Sequence, residues 1–210
     1  MPVLPLQMNV DLAQQHDRAE VLRRLAASMR AIDRAADAEE LEQAAAVLPL
    51  LELAHMRLSH FQELCFNPPR TMTRKQWRDT EWQARDAQQG VDWLHNHAYL
   101  PNDDNLLVRS AVVLLQTAGR GEKPDRLLRG AGMALDHISS HCAAIALAEE
   151  DPLDDMHWEG EAGEPGARIA RAAVGRLVQA SRIRGYDYAE EQARIGLVEE
   201  AQNLTLRTAT

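Results

Sequence analysis

Residues 124–148, "PDRLLRGAGMALDHISSHCAAIALA", decide the fold class. At 100° per residue, Leu127, Ala131, Ala134, Ile138, Cys142 and Ile145 fall on one stripe, the period of an amphipathic α-helix. Pro124 suits a first helical turn, so the stretch predicts one helix from Pro124 to about Ala148. His137 and His141 lie four residues apart on one flank of that stripe, beside Gly130, Ala134, Ala144 and Ala148. Small neighbours leave room for a close-packed helix or for a small ligand.

The same period recurs on both sides of this stretch. Leu22, Leu25, Met29 and Ile32 mark a first helix from about Asp11 to Ala35. A second is expected to start at Asp37, with Glu40 three residues on as a capping box. Leu41, Ala45, Leu48, Leu51, Ala54, His55, Leu58 and Cys65 form its expected inward side, and Pro49 should kink or divide it. "FNPPRT" ends it, and Thr73 with Gln76 caps a third helix. Asp104 can cap a fourth, which "AGRGEKP" stops. After the helix at 124–148, a sixth spans about Ala167 to Arg184, with Gly185 as its stop. Asp187 and Glu190 open a seventh, with Ile195, Leu197, Val198, Ala201 and Leu204 as its core. No run reads as a strand and no repeat period is present. Few aromatics, 4% of residues, with Ala and Leu dominant also favour helices.

The expected fold is therefore an all-α bundle of about seven helices. Residues 1–148 are read as a five-helix bundle, 149–165 as an acidic loop and 166–210 as a C-terminal helical hairpin. Neither hairpin helix can bury its stripe alone. The hairpin is expected to pack on the bundle or on a second protomer, which would make a homo-oligomer.

Net charge is −9, and its placement is uneven. "EEDPLDDMHWEGEAGEP", residues 149–165, holds eight acidic residues and no Lys or Arg; the remainder carries 23 basic against 24 acidic. No broad basic face is evident, which argues against nucleic acid as a general partner. No stretch has the length and apolarity of a membrane span. "MPVLPLQMNV" lacks the basic and apolar regions of a signal peptide, and two cysteines make no disulfide framework. A cytoplasmic protein with two thiols is the expectation. No phosphate-binding GxxxxGK[ST], GxSxG elbow or CxxC pair occurs, and no catalytic residue is assigned.

Three groups of residues carry functional expectations. The first is a partner-binding surface. Trp82 and Trp93, eleven residues apart, align on the third helix opposite Trp77, Ala84, Val91, Leu94 and Ala98. Such a helix is either sandwiched in a core or offers one side to a partner. Trp158, with Asp154 and Asp155, gives the acidic loop an apolar centre suited to a basic groove, although a solvated linker has the same composition. The second group is the basic start of the third helix: Arg70, Arg74, Lys75 and Arg78 around Trp77. Cations at a helix N-terminus oppose its dipole, so the cluster suits an acidic surface, or phosphate in weak nucleic-acid binding; a solvated helix start is the plain alternative.

The third group is His55, His137 and His141. Three imidazoles, one from the second helix and two from the fifth, could hold a divalent metal with an open position. This spacing is similar to that of the DinB-like metal-binding bundles, and that resemblance implies a metal-dependent helical-bundle enzyme or metal-binding protein. The continuation here, "CAAIALAEED", departs from the His- and Gly-rich text of that family. The alternative is two packing histidines in an ordinary helix. A non-catalytic binding or regulatory protein, acting through protein–protein contacts, is the leading expectation.

Overall fold

The structure, a computed structural model, describes residues 6–97, 103–149, 163–185 and 187–206. Among these residues it is entirely helical: α1 (Leu6–Arg30), α2 (Ala35–Phe66), α3 (Arg74–His97), α4 (Asp103–Gly119), α5 (Pro124–Asp136), α6 (Ser140–Glu149), α7 (Pro165–Arg182) and α8 (Tyr188–Leu206). No helix among them is long and apolar enough to cross a membrane.

The eighth helix arises where one was expected to be continuous. Residues 124–148 are two helices, broken between Asp136 and Ser140. The Ser139 hydroxyl accepts the Cys142 N–H at 3.1 Å, and the Ser139 carbonyl accepts the Ala143 N–H at 2.9 Å, so Ser139 is the N-cap of α6. At the end of α5, carbonyls are left without an intrahelical donor. The Gln202 side chain of α8 supplies one, donating to Leu135 O at 2.8 Å and Ile138 O at 3.0 Å. The expected stripe stops at the break: Leu127, Ala131, Ala134 and Ile138 are buried, but α6 buries Ala143, Ala144, Ala146 and Leu147, leaving Cys142 half-buried and Ile145 exposed.

Other ends follow local chemistry. α1 stops at Arg30 because Asp33 takes a left-handed conformation, φ 59°. Arg34 N–H then bonds Met29 O at 3.0 Å and Asp33 N–H bonds Arg30 O at 3.2 Å, the paired bonds of a Schellman end. The capping box expected at Asp37 and Glu40 is absent: Asp37 takes the Arg34 guanidinium, and Glu40 pairs with Arg109 of α4. Pro49 lies inside α2 and does not divide it. Thr73 and Gln76 do form a reciprocal box: Thr73 N–H donates to Gln76 Oε1 at 2.9 Å, and Gln76 N–H to Thr73 Oγ1 at 3.3 Å. Asp187 caps α8 by accepting the Glu190 N–H at 2.9 Å.

The chain divides into two compact units, residues 1–20 with 43–101, and residues 21–42 with 102–210. The division thus falls within α1 and α2, not at the acidic segment. In the second unit the α7–α8 hairpin packs on α4, α5 and α6, so its stripes are buried by its own chain. Arg171 of α7 donates to Gly119 O at 2.8 Å and so caps α4, and Arg176 pairs with Glu200 of α8 at 2.6 Å. Gly166 lets α7 start hard against α5: a Cβ there would stand 3.1 Å from Pro124 Cβ.

The largest fully buried side chains, Leu22, Leu25, Met29, Leu41, Leu107, Leu114, Leu115, Leu127, Leu128, Leu135, Leu147 and Leu177, all belong to this second unit. Each contributes about 2 kcal/mol of transfer free energy, which makes this the stable core of the chain. Among the described residues of the first unit the buried apolar ones are Ala19, Ala44, Ala45, Leu64, Ala84, Ala87 and Val91. Most are small. The same unit leaves Leu50, Leu53, Phe66, Trp82 and Trp93 exposed.

Candidate functional site

The break at residues 137–139 changes what the two histidines can do. His137 ends α5, and its Nδ1–H donates to the Met133 carbonyl at 3.0 Å. His141 lies in the first turn of α6, with Nδ1 3.4 Å from Glu191 Oε1 of α8. They do not share one helix face, because they belong to different helices. His55, expected on the inward side of α2, is exposed, as is Cys65. It belongs to the other unit. Among the described residues, no group of three His, Cys, Asp or Glu side chains is placed to hold a metal ion.

The break instead makes one wall of an open groove. Leu135, Asp136, Ile138, Ser139 and Ser140 face Glu199, Gln202, Asn203 and Leu206 of α8 across a cavity of about 430 Å³. Ser140 Oγ donates to Glu199 at 3.2 Å and closes one end. His137 and His141 are thus sequence neighbours of a groove lined by serine, carboxylate, amide and aliphatic side chains, while His55 belongs to the other unit.

On α3 the two faces separate cleanly. Trp77 packs on Phe61 of α2 with ring centroids 5.8 Å apart, and Ala84, Ala87 and Val91 continue the buried stripe. Trp82 and Trp93 point away from it, 66% and 57% exposed. Those values set both indoles outside the buried stripe of this helix. Eleven residues carry the helix about 16.5 Å along its axis and leave the two side chains roughly 20° apart around it. They therefore make one ridge.

The basic cluster lies at the N-terminal end of this ridge. Arg70, Arg74, Lys75 and Arg78 are all exposed. None of the four forms an ion pair among the described residues. Further along, the charges are matched within the unit: Arg85 with Glu81 at 2.8 Å, and Arg57 with Asp86 at 3.7 Å. At the start of α3 this positive charge adds to that of the helix dipole. Asp154, Asp155 and Trp158, the expected contacts of the acidic loop, lie outside the described residues.

Arg194 of α8 was not singled out from sequence. In α8 Val198 and Ala201 are buried as expected, but Arg194 and Thr205 complete the buried stripe while Ile195, Leu197 and Leu204 are half-buried. Spacings of four, three and four residues make it a sound helical stripe. A charged residue at its head and a threonine at its foot hide it from a hydrophobicity reading. No family model, curated protein or solved structure matches the chain.

Proposed function

We propose that this is a non-catalytic binding protein acting through protein–protein contacts, with the outward face of α3 as its contact surface. The supporting observation is the exposed Trp82–Trp93 ridge next to four cations that form no ion pair among the described residues. Large aromatic side chains left in water are costly unless they anchor a partner, and they are the commonest interface hot spots. The partner's chemistry follows from the charge: an acidic protein segment with apolar side chains to cover the indoles. Four cations on a chain of net charge −9 make a short electrostatic footprint, better matched to such a segment than to a nucleic-acid backbone.

A displayed peptide library selected on the intact protein tests the reading. Acidic peptides bearing an aromatic or aliphatic residue should enrich, and their binding should weaken as salt rises. The Trp82→Ala/Trp93→Ala protein should lose at least tenfold in affinity for them, and so should Arg74→Glu/Lys75→Glu/Arg78→Glu. No enrichment, or equal binding by these variants, would refute it.

A further inference from the structure

Arg194 is the charged head of an otherwise apolar stripe, and only 6% of its surface is exposed. A helical side chain of this length leans toward the N-terminus of its helix, so the guanidinium runs back beneath the α7–α8 turn. Gly185 closes over it with φ +72°: a Cβ there would stand 3.3 Å from Cζ, Nη1 and Nη2. The guanidinium is therefore held flat under a turn that glycine suits both by its conformation and by its lack of a side chain. Yet Nε is buried with no acceptor, and among the described residues Arg194 makes no hydrogen bond or ion pair.

A buried lysine or histidine in such a place could lose its proton. Arginine cannot, so the charge persists and asks for a counter-ion. We infer that Arg194 anchors an anion site at the α7–α8 turn that takes a carboxylate. The guanidinium fork matches two coplanar oxygens, and one carboxylate neutralises one guanidinium. Around the turn three carboxylates, Asp187, Glu190 and Glu191, outnumber the two guanidiniums of Arg182 and Arg184. That excess of one negative charge repels a phosphate dianion more strongly than a monocarboxylate.

The test uses the intact protein with sodium acetate and sodium succinate as probes, against sodium chloride at matched ionic strength. Thermal midpoint and the NMR signal of the Arg194 side-chain Nε–H are followed together. Carboxylate should raise the midpoint saturably and shift that signal. Arg194→Met should lose the response and, with the unpaired charge gone, melt higher than the parent in chloride. Arg194→Lys should keep the fold and lose most of the response, since an ammonium has no fork. Inorganic phosphate forms a separate arm. A response to phosphate alone, no response to carboxylate, or an undiminished response in Arg194→Met would each overturn the assignment.

Discussion

Gln202→Leu should loosen the junction of α5 and α6 without touching the core. The Gln202 amide donates to Leu135 O at 2.8 Å and to Ile138 O at 3.0 Å, and both bonds are part-buried. Leucine keeps the bulk and removes the donor. Each bond is worth about 1 kcal/mol net, and carbonyls left partly desolvated raise the cost, so the loss should be about 1–3 kcal/mol. For a chain of this size, 2 kcal/mol lowers the melting temperature by roughly 4–8 °C. Urea unfolding should show a lower midpoint with an unchanged slope, because the surface exposed on unfolding stays the same. Gln202→Glu should be worse, since a carboxylate would face two carbonyl oxygens with Glu199 one turn away on α8. Hydrogen exchange should locate the damage, with faster exchange at Ala143 and Ala144 in the first turn of α6. A Gln202→Leu protein within about 0.5 kcal/mol of the parent would refute the reasoning, because the break would then owe nothing to α8.

Two further outcomes follow from the same structure. Leu114→Ala, at a fully buried site, should cost about 2–5 kcal/mol, whereas Trp82→Ala should stay within about 0.5 kcal/mol in thermal or urea unfolding; comparable losses would mean that Trp82 is part of a core. Glu42 accepts two hydrogen bonds from Arg30, one of them 2.6 Å, and this hydrogen bonding holds its carboxyl below the usual glutamate range. Its contribution to stability is therefore present above the ordinary glutamate pKa and lost as pH falls through the lowered folded value. A carbon-13 titration should show Glu42 shifting at lower pH than a free glutamate, and Arg30→Ala should return it to the ordinary range.

Helical character was legible from the period of the apolar residues, and so were several ends. The Thr73–Gln76 box, Pro124 at the head of α5 and Gly185 after α7 are local chemistry, readable because both partners lie within one turn of chain. The break after Asp136 was not legible. Ser139 was a cap in waiting, but an apolar stripe of the same phase ran straight past it. What makes the break tolerable is Gln202, more than sixty residues away. The metal expectation failed to gain support for the same reason: two histidines aligned on a continuous helix part company when that helix ends between them.

What the amino-acid sequence determined alone is the all-helical class, the uneven charge and the two-sided character of α3. These depend on residue type and short spacing, which act through helix propensity and burial of one face. Tertiary structure decided which of the two faces of α3 is buried, that the C-terminal hairpin buries its stripes on α4–α6, and that α8 places Arg194 where an apolar residue was expected. Periodicity specifies that a face must be covered. Only the partners brought from distant parts of the chain specify by what, and on α3 they bury the Ala84–Ala87–Val91 side while Trp82 and Trp93 stay more than half exposed.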